Sequence, residues 1–350
     1  VSTNAPPDGH ARYLATASFG ALDGLRALSI VAVVWHHAAE PHTTILGGRG
    51  FLGVDLFFVI SGFLIVTLLL RERDRKGAIS LRQFYIRRAL RIFPLYYGWL
   101  LALGLFSVLA GGASVAPIRD LPFAALYLGN WVELSGFLAI TWSLAAEEQF
   151  YLAWPPLERA LPRGVVPVVI VAAIFASVFL PALWPTAPSM LTTIGFTPIL
   201  LGVGLAHVLH SPRGHAAVAR VVDHIVVVVV VVVAAVALLA LGPADLRGGP
   251  RLGLQVLAVV GLAACVVREE TPWNRWLRLR VFTFIGMLSY GLYLLHMPAH
   301  HVVVKLGAAL GIDAPVARFG ATLALGLVLA WLSHRFFERR FLALKSRFAP

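Results

Sequence analysis

Hydrophobic and polar positions along this chain fall into long apolar runs separated by short basic stretches. The runs centre on residues 24–41, 51–70, 93–112, 122–134, 142–161, 165–184, 191–210, 221–241, 252–267, 282–306 and 315–337. A bilayer core takes about 20 apolar residues of helix, and only the run at 122–134 falls far short of that. The pattern predicts an all-α, polytopic integral membrane bundle of about ten transmembrane helices. One run breaks the rule that lipid-facing helices are apolar throughout: "LDGLRALSIVAVVWHHA", residues 22–38, carries an aspartate, an arginine and two adjacent histidines.

Composition agrees with the pattern. Hydrophobic residues make up 59% and charged residues 13% of the 350, and mean hydropathy is +0.82, whereas soluble domains carry about 25% charged residues. The formal net charge of +12 does not indicate nucleic acid, because the basic residues sit in short loops, as membrane topology requires. If the run at 122–134 is not a crossing, 23 of the 29 Lys and Arg fall on one side, leaving Arg49, Arg119, Arg247, Arg251, Lys305 and Arg318 on the other. With that run as an eleventh crossing the split is 14 to 15, so the positive-inside rule selects ten spans with both termini cytoplasmic. Residues 1–19 lack signal-peptide features and read as a cytoplasmic tail. Residues 20–340 form the transmembrane domain and 341–350 a second cytoplasmic tail, with no appended soluble domain expected. The single cysteine, Cys265, excludes a disulfide framework, and the octavaline stretch Val226 to Val233 reads as one lipid-facing helix.

Three features carry candidate chemistry. Arg26 and His37 lie eleven residues apart, roughly 16 Å along a helix, so an arginine at the inner surface places the histidine near mid-membrane, where ionisable groups face the bundle interior. A histidine hydrogen-bonded to a neighbouring helix is the competing reading, and His36 points about 100° away from His37. In "RRALRIFPLYY", Arg87, Arg88 and Arg91 can serve one helix face, and guanidinium forks grip phosphate oxygens. A stop-transfer or lipid-headgroup anchor is the alternative. In "TWSLAAEEQFYLAWP", Glu147 and Glu148, beside Trp142 and Tyr151, are placed in the outer third of a span, suited to sugar hydroxyls or to a helix-to-helix network.

These segments, together with "GVDLFFVISGFLI", "SYGLYLLHMP" and "FFERRF", occur in the order found in the acyltransferase-3 family, which the chain resembles over roughly residues 20–340. That family comprises membrane O-acyltransferases of bacterial surface polysaccharides, lipopolysaccharide and other lipid-linked saccharides, and some macrolides. The resemblance implies a bacterial cytoplasmic-membrane enzyme. It places the Arg-x10-His signature on Arg26 and His37, favouring His37 over His36, and Arg-x-x-Arg on Arg88 and Arg91. Where the family has Glu-x-Pro near its end, this chain reads "ERRF", which puts a role for Glu338 in doubt.

The resulting expectation is transfer of an acyl group, acetyl by default, from cytoplasmic acyl-CoA to a hydroxyl of a carbohydrate or glycoside acceptor. Arg26, Arg87, Arg88 and Arg91 would hold the nucleotide of the donor, with no metal. His37 would act as general base, a role that requires neutral imidazole, and Glu147 would assist. Asp55, Ser61, Trp142, Glu148, Tyr151 and His296 are the expected substrate-side residues, with Ser61 or a backbone amide of "ISGF" stabilising the oxyanion. An acyl-histidine intermediate competes with direct transfer. A proton-coupled transporter or flippase is the alternative function, since intramembrane Asp, Glu and His also mark such proteins. The lipid bilayer is the expected surrounding partner, and self-association into a homo-oligomer is left open.

Overall fold

In the computed structural model, which describes residues 9–39, 47–109, 116–183, 196–242, 246, 248–311 and 314–348, all but one of the apolar runs become helices, and no strand forms among those residues. His42 and Arg247 lie outside the described residues. In chain order the helices are α1 (Gly9–Ala15), α2 (Ala21–Ala38), α3 (Leu52–Lys76), α4 (Leu81–Leu109), α5 (Leu121–Ala125), α6 (Thr141–Ala160), α7 (Val166–Leu183) and α8 (Thr197–His210). There follow α9 (Pro212–Val222), α10 (Ile225–Leu241), α11 (Gly249–Val267), α12 (Pro272–Leu277), α13 (Arg280–Met287), α14 (Ser289–Leu310), α15 (Pro315–Ser333) and α16 (Arg339–Leu344).

By length and apolarity, Leu52–Lys76, Leu81–Leu109, Gly249–Val267 and Pro315–Leu344 each suffice to cross a membrane, and two pairs bent by 75°, α9 with α10 and α13 with α14, bring the number to six among the described residues. That is short of the expected ten. Two of the four missing helices, α7 and α8, are apolar but short over the stretches Val166–Phe179 and Thr197–His210, and the other two are too polar. Helices α2 and α6 carry Asp23, Arg26, Glu147, Glu148 and Glu158, and are too polar to qualify for lipid, yet their interior faces are covered by protein, as at Ile30, Val33, Ala145 and Phe150.

The run at 122–134 does not form a spanning helix. It makes the five-residue α5 and a series of turns that tuck against α4 and α6: Tyr96 donates to the Ala124 carbonyl at 2.7 Å, Tyr127 stacks on Tyr96 at 4.5 Å, and Asn130 and Gln149 exchange amide hydrogen bonds at 2.9 and 2.8 Å. Non-helical backbone at membrane depth is tolerated when protein buries it and partners its polar groups.

At the centre, α3 and α8 approach backbone to backbone. A Cβ on Gly62 would lie 2.0 Å from the Ile199 carbonyl oxygen, and one on Gly202 2.2 Å from that of Val59, so each helix presents its small residue to the other's backbone, the packing mode that membrane helices use without a hydrophobic drive. Helix α10, with the octavaline, buries none of its residues.

Polar contacts then sort the chain into two ends. At one, Arg71 donates to the carbonyls of Tyr13 and Thr16, Arg73 pairs with Glu158, Arg163 and His210 meet Asp74, and Arg87 donates to the Phe348 carbonyl. Both described ends of the chain therefore lie together. At the other end, Arg49 donates to the carbonyls of Leu238, Leu239 and Gly242 that close α10, Arg251 pairs with Asp55, and Arg318 donates to the Ala38 carbonyl.

Candidate active site

Helices α2, α3, α4, α6 and α14 surround a cavity of about 180 Å³, to whose wall the last described turn contributes Lys345. Its basic wall is made by Arg26, Arg88, Arg91 and Lys345, and its other polar lining includes Ser61, Glu147, Glu148, Tyr151 and Tyr293. Because Arg88 and Arg91 are three residues apart on one helix, they share a face. Arg88 lies over the rings of Tyr151 (5.2 Å) and Phe84 (5.8 Å). Arg26 is paired with Asp23 at 2.9 Å. Neither Arg88 nor Arg91 has a hydrogen-bonding or ion-pair partner among the described residues. Arg87, the third arginine of the motif, faces elsewhere: it pairs with buried Glu72 at 3.4 Å and holds the Phe348 carbonyl at 2.8 Å.

Ser61 donates to Glu147 at 2.6 Å. Ser61 sits near the middle of α3, so Glu147 is at mid-depth, beside the guanidiniums and not at an opposite mouth. The inward fold of residues 116–140 explains the difference, because it starts α6 already within the bundle, where Ser143 meets the Tyr293 hydroxyl at 2.7 Å. Trp142 packs edge-on against Phe58 at 6.0 Å and does not line the cavity. Asp55 is also absent from its walls: it is 3% exposed, receives two hydrogen bonds from Arg251 at 2.9 Å and a third from Gln255 at 3.1 Å.

His37 lies farther along α2 than Arg26 and meets His296 of α14, ring centroids 4.9 Å apart. Their hydrogen bonds fix the tautomers. His296 Nδ1 is 2.6 Å from the Tyr293 carbonyl and His37 Nδ1 is 2.9 Å from the Val33 carbonyl. A carbonyl only accepts, so both Nδ1 atoms carry the hydrogen. His296 Nε2 is then an acceptor, 3.3 Å from His37 Nδ1, and the lone pair on His37 Nε2 has no hydrogen-bond partner among the described residues. Neither imidazole lines the cavity. Tyr293 stands between: its ring is on the cavity wall, its carbonyl holds His296, and its hydroxyl is tied to Ser143 and to the Ile140 carbonyl. His36 turns its ring toward Phe51, 5.7 Å away.

Sequence reasoning passed over Lys345, Tyr290, Tyr293 and Ser143. Helical spacing could have found the tyrosines, since Tyr290, Tyr293 and His296 recur every third residue. No signal marked Lys345. Among the described residues no group of three or more His, Cys, Asp or Glu comes together to hold a metal ion.

A family model described as an acyltransferase domain matches residues 19–335. The chain is 29% identical to the peptidoglycan O-acetyltransferase OatA of Listeria monocytogenes over 91% of this chain and 54% of that protein. It is 28% identical to a putative O-acetyltransferase of Staphylococcus aureus over 95% of this chain and 59% of the relative, and 28% identical to the putative peptidoglycan O-acetyltransferase YrhL of Bacillus subtilis over 94% and 55%. The chain thus spans somewhat more than half the length of these relatives. No solved structure matches it.

Proposed function

The chain belongs to the acyltransferase-3 family, and on that premise we propose that it is a membrane O-acetyltransferase, moving acetyl from cytoplasmic acetyl-CoA to a hydroxyl of a cell-envelope glycan. The observation that carries the reading is the cavity itself, where two guanidiniums without carboxylate partners, Arg88 and Arg91, share a wall with Arg26 and face Ser61, Glu147 and Tyr151. Cationic side chains gathered on one cavity wall repel one another, and phosphate oxygens are their natural complement, gripped in bidentate fashion. The names of the relatives favour peptidoglycan among glycan acceptors.

Residues 12–16, 71–91 and 345–348 share one end, the side to which the positive-inside count assigns 23 of the 29 basic residues, and ten crossings with both termini in the cytoplasm fit this reading. The nucleotide of the donor would sit at the basic mouth and its thin pantetheine arm would run inward past Ser61. His37, with Nδ1 committed to the Val33 carbonyl, would use Nε2 to take the proton of the attacking hydroxyl as the new C–O bond forms at the thioester carbonyl, and would return it to the coenzyme A thiolate as the C–S bond breaks. His296 holds the tautomer of His37 from behind. Transfer then needs the Tyr293–Ser143 contact to part, joining the cavity to the histidines. Glu147, held by Ser61, would shape the polar passage between them.

The test is purified chain with radiolabelled acetyl-CoA and soluble glycan fragments. Acetyl transfer with one thiol released per acetyl is the expected result. A transporter would release no thiol, and that outcome would overturn the reading.

A further inference from the structure

Residues beyond 335 lie outside the stretch matched by the family model, yet the last described turn of the chain comes back to the cavity. After α16 the backbone tightens over Lys345–Phe348, and Arg87 anchors that turn through the Phe348 carbonyl. The anchoring places the Lys345 side chain on the wall shared by Arg26, Arg88 and Arg91. No carboxylate pairs with its ammonium among the described residues. A fourth cation is thus held, half-buried, against three others, an arrangement that repels itself unless an anion comes between them.

We propose that Lys345 is a phosphate-binding residue of the donor site, completing a four-cation cradle for the nucleotide phosphates of acyl-CoA. The inference rests on the acyl-CoA reading above. Arg88 and Arg91 supply planar forks fixed on a helix, while Lys345 supplies a compact charge on a flexible stem, able to follow a phosphate as the nucleotide enters. The same turn joins the mouth of the site to Arg87, which gives that arginine a role through position and not through contact.

Electrostatics offers an independent handle. Burial, and then the guanidiniums of Arg91, Arg88, Arg87 and Arg26, push Lys345 down to about 8. Other charged groups nearby are Asp23, held by Arg26, Glu147 and Glu148 across the cavity, Glu72, paired with Arg87, Glu338, which acts on Arg91, Arg339 and Arg340 on α16, and Arg347 on its own turn. Free protein therefore loses this charge as pH rises through that value, and a bound phosphate, favouring the charged form, takes up a proton there.

The experiment is calorimetric titration of the full chain in nanodiscs with adenosine 3′,5′-bisphosphate, whose phosphates stay ionised between about pH 7.5 and 9.5. Wild type should bind progressively more weakly across that range. Lys345→Arg, which keeps its charge, should show a smaller pH dependence than wild type, and Lys345→Gln should be weaker by on the order of tenfold at the lower pH with the same reduced slope. If Lys345→Gln binds like wild type, or if Lys345→Arg follows the wild-type pH curve, Lys345 has no part in the site. Should Lys345→Gln fail to fold, the Lys345→Arg curve alone decides. Loss of binding in Arg88→Ala with none in Lys345→Gln would leave the donor reading standing and remove only Lys345, whereas a wild type that binds no bisphosphate removes both.

Discussion

Two clusters of charge, one buried and one lining a cavity, show opposite ways of handling arginine. At one, Arg251 gives both arms of its fork to Asp55, and Gln255 takes a remaining lone pair, so each charge is answered within the protein. At the other, Arg88 and Arg91 line an open cavity and find no carboxylate among the described residues. A carboxylate in a span reads the same from sequence whether its partner is a ligand or an arginine, and only the contrast separates them. The satisfied cluster holds α3 to α11, and the unsatisfied one leaves room for an anion.

The contrast can be broken at several points. The largest effect is expected at His37, which follows from the chemistry placed beyond the unsatisfied cluster. His37→Ala should lower transfer by roughly 10²–10⁴-fold, the range of a lost general base, with the protein still folded, while His36→Ala should be much milder. Equal losses would make the pair structural. Next, Asp55→Asn leaves the Arg251 guanidinium buried without its counter-charge and should cost about 3–5 kcal/mol of stability, read as a lowered Tm in detergent, with donor affinity in the folded fraction unchanged. A changed donor affinity would erase the distinction between the two ends.

Smaller effects sharpen the picture within the cavity. Glu147→Gln should slow transfer on the order of ten- to a hundredfold without raising KM for acetyl-CoA, because removing a negative charge beside Arg88 cannot weaken an anion. A raised donor KM would mean that Glu147 orders the basic wall. Smallest, Arg88→Lys should bind donor only about three- to tenfold more weakly than wild type, keeping the charge but losing the planar fork. Full recovery of wild-type affinity would show that charge alone suffices.

Much of this was legible in the sequence. Apolar runs located the helices, and the loop charges anticipated which segments gather at each end, because both signals are local and additive along the chain. Helical spacing likewise brought Arg88 and Arg91 to one face. What escaped were pairings between distant residues. Asp55 meets Arg251 across 196 positions, and nothing periodic announces it. The run at 122–134 is apolar enough to look like a short helix, but its backbone is partnered by Tyr96 and Gln149, which hydropathy cannot register. The bends of 75° within two apolar runs are equally silent in composition. Depth counted from loop ends puts Glu147 toward the far mouth, and the inward fold of the segment before α6 is what moves it to the middle.

The central claim is that the unpaired arginines form the donor site, and it is tested most directly by titrating wild type, Arg88→Ala and Arg91→Ala with S-ethyl-CoA, a thioether that binds as donor but cannot transfer. Removal of one charge-assisted contact costs about 1.5–3 kcal/mol, so each variant should raise Kd roughly ten- to a hundredfold. If both variants bind the analogue as tightly as wild type does, the basic wall serves only to anchor the topology, and the donor enters elsewhere.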